Sequence, residues 1–367
     1  MTQVRATRIG LVVAILGVLL LSCARVSRAQ GGAAPRDTTV RSFGGGVYLF
    51  HYRPFDLPGA VANTEIYAAY ATADVRHGRW HLFGEARARD SKLRPWFNGT
   101  TWVQQAFVGY DAAPSIDGSR LTIRAGKLYQ TLGRFWDGSF FGNVQYFDGL
   151  KLNPQFAVEA SGTWRATSGV AVGYTAQYVA NSDRVSGALA GRDFETLLGF
   201  RDRDGVGARG TLAVPVGRMG FTVGLSGLSR GTADSTGRTW RVPHVAIDGE
   251  WRAGPAVVYA EWMRRQAGDL PPSLRASFAG SRAEYWLAGA QWHQGVLHLR
   301  YNFSRGRYDD IGRSDWIHQP GITIDLARDV HALLELDEWR TRLSGPAGGR
   351  TATTDQSLDF VLQLVVP

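Results

Sequence analysis

The sequence predicts an all-β fold, a transmembrane antiparallel barrel of about sixteen strands with a long third loop folded into its lumen. Three observations carry this. Stretches of about ten residues alternate apolar with small or polar side chains, the pattern of a wall with one row facing lipid and the other water. The connections between them alternate between short and long. Forty-five glycines and twelve tryptophans in 367 residues suit strands, tight turns and lipid-water interfaces and disfavour helices.

In chain order, the first segment lies outside the barrel. Arg5 and Arg8 precede an apolar run from Ile9 to Leu21, and a small-residue stretch ends at Ser27-Arg28-Ala29. That order reads as a secretory signal over residues 1–29, its apolar run too short to span a bilayer as a helix. Cleavage near Ala29 is the expectation, and acylation of Cys23 after Leu20-Leu21-Ser22 is the alternative. Cys23 is the only cysteine, so a chain that has lost its signal holds neither a disulfide nor a thiolate metal site. The formal charge of +9 falls to +5 when Arg5, Arg8, Arg25 and Arg28 leave (9 − 4 = 5). That excess is modest, and after export nucleic acid is not an expected partner. A short segment, 30–41, leads into the barrel, 42–367, which no linker divides.

Each strand declares its two faces. From Trp80 to Arg89, Leu82, Gly84, Ala86 and Ala88 share one face, and Glu85, Arg87 and Arg89 the other. From Arg120 to Leu128, Leu121, Ile123 and Ala125 point outward and Arg120, Thr122 and Arg124 inward. Lys127 then has the wrong parity unless Gly126 introduces a bulge. Phe221, Val223 and Leu225 alternate with Thr222, Gly224 and Ser226. Leu297, Leu299, Tyr301 and Phe303 alternate with His298, Arg300, Asn302 and Ser304. In the last strand Leu358, Phe360, Leu362 and Leu364 oppose Asp359 and Gln363.

Short turns are expected near 76–79, 166–169, 216–219, 252–254, 293–295 and 328–330, with a longer link of the same parity at 112–119. Long loops are expected at 54–60, 91–98, 129–154, 181–204, 230–239, 267–281, 307–318 and 344–354. Their alternation joins an even number of strands and makes 129–154 a single loop, although Phe140 to Leu152 could pass locally for strands. Trp80, Trp164, Trp251 and Trp292 lie beside short turns, and Trp102, Trp240, Trp262 and Trp339 toward the opposite ends. This reads as two interfacial girdles, with core filling as the alternative.

The longest loop holds Arg134, Trp136, Asp137, Phe140, Phe141, Asn143, Tyr146 and Asp148. So many aromatics are awkward in water and comfortable against an inner wall, where they would narrow the lumen, the alternative being an outer loop packed against its neighbours or a subunit partner. Glu85, Arg87, Arg89, Arg124 and Lys127 on the wall and Arg134, Asp137 and Asp148 in the loop are therefore the candidate constriction residues. Their basic excess favours anions, the alternative being solvated charge with no selective role.

The segment Ile123-Arg124-Ala125-Gly126-Lys127-Leu128, followed by Gly133-Arg134 and Ser139-Phe140-Phe141-Gly142-Asn143, resembles the phosphate-selective type of porin. The resemblance covers roughly 120–160 and implies a constriction loop, a homotrimer and a preference for anionic solutes. Passive diffusion of small hydrophilic solutes needs no cofactor or catalytic group, and the expected partners are outer-membrane lipid and those solutes. Two rivals remain, a plugged barrel that binds a ligand or partner and a membrane-barrel hydrolase. Gly227-Leu228-Ser229-Arg230-Gly231 matches a nucleophile elbow, but that motif needs a strand leading into a helix, and here a polar loop is expected. No H-E-x-x-H spacing occurs among the histidines, and Asp202-Arg203-Asp204-Gly205 lacks the remaining ligands of a calcium loop.

Overall fold

Neighbouring side chains in a strand point to opposite faces, so a chain whose every second residue is apolar puts those residues on one surface. In the computed structural model sixteen strands do this. Each pairs antiparallel with the next, and the last pairs with the first to close the barrel. The first eight are β1 (Thr39–Pro54), β2 (Asn63–His77), β3 (Trp80–Ala88), β4 (Thr101–Ala113), β5 (Arg120–Leu128), β6 (Gln155–Arg165), β7 (Ala171–Val179) and β8 (Arg201–Val216). The second eight are β9 (Met219–Ala233), β10 (Thr239–Ala253), β11 (Ala256–Gln266), β12 (Arg282–Gln294), β13 (Leu297–Tyr308), β14 (Arg313–Ala327), β15 (Val330–Ser344) and β16 (Arg350–Val366). One helical turn, Val144–Phe147, lies between β5 and β6. The structure describes residues 39–54, 63–89, 101–113, 120–134, 139, 142–147, 154–180, 201–233, 239–266, 282–344 and 350–366.

The two rows have opposite chemistry. Leu82, Val158, Leu225, Ile247 and Phe360 stand exposed in the outer row, while Ser304, Gln319, Glu335 and Asp359 are buried in the inner row. Apolar outside and polar inside inverts the order of a water-soluble protein. It is the order a bilayer imposes on a closed sheet. No helix among the described residues is long and apolar enough to cross a membrane.

Glycine sets the tight hairpins. Gly78, Gly217, Gly254 and Gly295 have φ of 56°, 60°, 54° and 60° and open the two-residue turns between β2 and β3, β8 and β9, β10 and β11, and β12 and β13. A positive φ at the first central residue matches the right-handed twist of the flanking strands and is open to glycine at no steric cost.

The strands run further than expected at the end carrying the long connections. The expected loop at 307–318 is mostly strand: β13 ends at Tyr308, β14 begins at Arg313, and only 309–312 joins them. Similarly β8 begins at Arg201, β9 reaches Ala233 and β16 begins at Arg350. The last three of these ends are largely polar on both faces, so hydrophobic alternation fades while backbone pairing continues. The elbow-like 227–231 is internal to β9, whose strand runs on past Ser229 to Ala233. At the other end β1 starts at Thr39, inside the expected leader 30–41; the expected signal, 1–29, lies outside the described residues.

Tryptophan follows the expectation at one rim only. Trp80, Trp164, Trp251 and Trp292 are exposed in the outer row beside the short turns. At the opposite end Trp262 faces outward against Trp286, ring centroids 6.3 Å apart. Trp102 instead is buried inside, Trp240 shares a row with Val242 and His244, and Trp339 packs against an interior apolar cluster. Spacing from a turn gave their height but not their face.

The facing of β16 makes a direct test. Phe360→Arg or Leu362→Arg places a cation against hydrocarbon at a cost of about 2–4 kcal/mol and should sharply reduce the folded, heat-modifiable band on electrophoresis. Asp359→Asn, in the inner row, should leave that band near the parent level.

Candidate functional site

The parity of β3 puts Glu85 and Arg87 in the inner row, as expected, and Arg89 follows directly on the end of the strand. Arg87 Nε donates to Glu85 Oε1 at 2.6 Å. Arg89 is buried with its guanidinium 3.9 Å from the centre of the Trp102 ring. On β5, Arg124 donates to Glu159 of β6 and lies 5.5 Å from the Phe107 ring centre. Arg87 and Arg124 are thus each held by a carboxylate on their own wall, and the expected basic wall is in large part compensated where it stands.

Lys127 departs from expectation. The ladders to β4 and β6 run through Gly126 with no bulge there, so Lys127 keeps the register of the outer row, opposite Ala106 and Phe156. Its side chain is nevertheless buried, and Nζ donates to the carbonyl of Val103 at 2.5 Å. An ammonium committed to a backbone carbonyl does not line open water. Asp137 and Asp148 lie outside the described residues.

Arg–carboxylate pairing recurs around the interior. Arg209 grips Asp248 with two hydrogen bonds of 2.5 and 2.7 Å, Arg300 donates to Glu335 at 2.6 Å, and Arg313 to Asp315 at 3.0 Å. Removing one member of such a buried pair strands the other charge, which costs far more than the net worth of the pair.

The connection after β5 touches these inner rows in succession. Thr131 N donates to Gln177 Oε1 of β7 at 3.2 Å, and Gln177 Nε2 returns a bond to the Tyr129 carbonyl at 2.8 Å. Gly133 N donates to Ser226 Oγ of β9 at 2.8 Å. Arg134 donates from its backbone N–H to Glu261 of β11 and from its guanidinium to Glu250 of β10, 4.0 Å above the Tyr259 ring. Gln319 of β14 donates to the Gly142 carbonyl at 2.7 Å, and Val144 N to Ser304 Oγ of β13 at 3.2 Å. Gly133 has φ 59°, and a Cβ there would run into the Glu261 carboxylate, so the close approach needs glycine.

Apolar packing accompanies these bonds. Leu132 and Val144 join Leu228, Ala246, Met263, Tyr285, Tyr308 and Ile317 in one buried cluster. The last six are inner-row residues of β9 to β14, which a water-filled lumen would leave wet. The sequence did carry a signal for them. Val242 and Ala246 accompany Val245 and Ile247, and Tyr285 and Leu287 accompany Trp286, so β12 and the middle of β10 carry apolar residues on both faces, with His244, Asp248 and Glu250 interrupting the inner row of β10. A strand apolar on both faces has both faces covered. Inner-row residues in the half nearer the long connections, among them Phe50, Gln104, Gln177, His244 and Asp337, are also buried. Toward the short turns the interior opens: Asp325, accepting from His298 at 2.8 Å and His331 at 2.6 Å, is 29% exposed.

No family model matches this chain, and no curated protein does. Solved structures do. The outer membrane channel DcaP of Acinetobacter baumannii superposes with a TM-score of 0.61 at 10% identity, over 92% of this chain and 100% of that one. The trimer form of OmpT, an outer membrane protein of Vibrio cholerae, gives 0.57 at 10% identity over 90% and 100%. An anion-selective porin from Comamonas acidovorans gives 0.56 at 10% identity over 89% and 100%. At such identities the likeness establishes the fold, a closed sixteen-strand barrel of the kind found in bacterial outer-membrane channels.

Proposed function

We propose that this protein is an outer-membrane channel for passive diffusion of small hydrophilic solutes, with the loop at 129–154 as its constriction. The observation that carries the reading is the succession of bonds from this segment to the inner rows of β7, β9, β10, β11, β14 and β13. Those partners support a segment seated against the inner face, where it would reduce the cross-section of the lumen. The similar structures include an outer membrane channel and an anion-selective porin, and a trimer among them supports assembly of this chain as a homotrimer. The chemistry is that of a passage: fixed charges and dipoles orient a solute, and nothing is transformed.

A weak anion preference is part of the proposal. Arg87, Arg89 and Arg124 supply it, and Glu85 and Glu159 limit it by lying against two of them. The buried inner row in the half nearer the long connections favours a second reading, in which the resting barrel is closed and its open half is a binding vestibule.

Three measurements test these readings. Deleting 136–146 should raise single-channel conductance severalfold in planar bilayers while the barrel still assembles. A deletion protein conducting like its parent would place the segment outside the pore, and a silent parent with a conducting deletion would select the closed barrel. Arg134→Ala removes one partner from Glu250 and should speed limited proteolysis within 129–147 severalfold; cleavage at the parent rate would show that the anchor is dispensable. Arg87→Gln with Arg124→Gln leaves Glu85 and Glu159 uncompensated, so the reversal potential across a salt gradient should move toward cation preference, most at low ionic strength. Glu159→Gln should move it the other way.

A further inference from the structure

On the outside of the barrel the basic residues are unevenly placed. The outer rows of β3, β4, β6, β7 and β9 contain no lysine or arginine. On either side of β14 four exposed arginines gather. Arg305 and Arg340 flank Trp316 in the ladder, and Arg307 and Arg342 flank Ser314 one step nearer the long connections. Two ladder spacings separate β13 from β15, about 9.6 Å, a gap that arginines leaning from both sides can close around one phosphate group.

The neighbours fit a headgroup site. Arg342 lies 5.5 Å from the Trp316 ring centre, Arg340 pairs with Glu338, and Arg307 donates to Asp309 at 2.5 Å. Each guanidinium has five N–H donors, so these contacts leave donors for an oxyanion. Toward the middle of the wall the same face carries the Tyr301–His318 pair, hydrogen-bonded at 2.8 Å, and then exposed Leu299, Ile322, Leu334 and Leu336. Apolar wall, aromatic layer and arginine rim follow one another along three adjacent strands, in the order that a lipid presents acyl chain, interface and charged head.

We propose that the Arg305–Arg307–Arg340–Arg342 quartet docks the phosphate of an outer-leaflet glycolipid, whose acyl chains lie on the apolar faces of β13 to β15 below. This rests on the outer-membrane reading but not on an open pore. Planar guanidinium forks match phosphate oxygens in pairs, and the bond is charge-assisted.

The test is native mass spectrometry of the full-length protein in detergent, with bisphosphorylated lipid A and with the same lipid freed of its phosphates. The parent should retain the phosphorylated lipid about tenfold better. Arg305→Gln with Arg340→Gln should abolish that difference without changing the oligomer or the conductance, whereas Arg241→Gln on β10 should preserve it. If the glutamine pair fails to assemble, Arg305→Lys with Arg340→Lys keeps the charge without the fork and should lower retention of the phosphorylated form severalfold. The proposal is overturned if the parent does not distinguish the two lipids or a folded variant retains the phosphorylated one as well as the parent. It is equally overturned if the variant loses its oligomeric state with lipid retention unchanged, since the quartet would then join subunits. A parent that binds lipid without conducting would refute the channel and leave this site standing.

Discussion

Closure of the sheet is the constraint on which the rest depends. In hydrocarbon an unpaired N–H or C=O has no water to turn to, so a barrel persists only if its first and last strands satisfy each other. Here β1 and β16 pair from Gly45–Val366 to Pro54–Ser357. The proline falls at the end of that ladder, where a missing N–H costs least. With no edge left, the wall can carry polar residues inside and apolar ones outside. Its stability rests on sixteen ladders, a lipid-facing surface and the buried apolar cluster inside β9 to β14.

Within that wall the interior is asymmetric. From β9 to β14 the inner row supplies apolar residues and hydrogen-bond partners that receive Leu132, Gly133, Arg134 and Val144. From β3 to β6 it supplies arginines held by local carboxylates. The inner row thus offers apolar contacts and hydrogen-bond partners from β9 to β14, while Arg–carboxylate pairs recur around the whole interior. These demands explain why the wall departs from strict alternation where it does.

The fold was largely legible because period two survives every sequence detail: the even strand number, the short turns and the facing of 80–89, 297–304 and 358–364 all follow from it. Strand ends were misjudged where both faces turn polar, at Arg201–Asp204 above all, since there pairing alone defines the strand. The candidate site was legible by row but not by partner. Parity turned Arg87 and Arg124 inward, yet only cross-strand register brings Glu159 to Arg124. Lys127 escaped because its fate depends on a carbonyl, Val103, that no side-chain pattern reports. Arg134 was legible in the loop, but its partners Glu250 and Glu261 were not, being contributed by distant strands.

That distance has a consequence for the order of assembly. Gly133 meets Ser226 across 93 positions, and Gly142 meets Gln319 across 177. Neither contact can form until strands far downstream have taken their places, and contacts of such long range come late and slowly. The connection after β5 must therefore wait beside an unfinished wall and settle among the last events of maturation. Until then Leu132 and Val144 lack the strands they pack against, and in that interval a nascent barrel depends most on whatever escorts it.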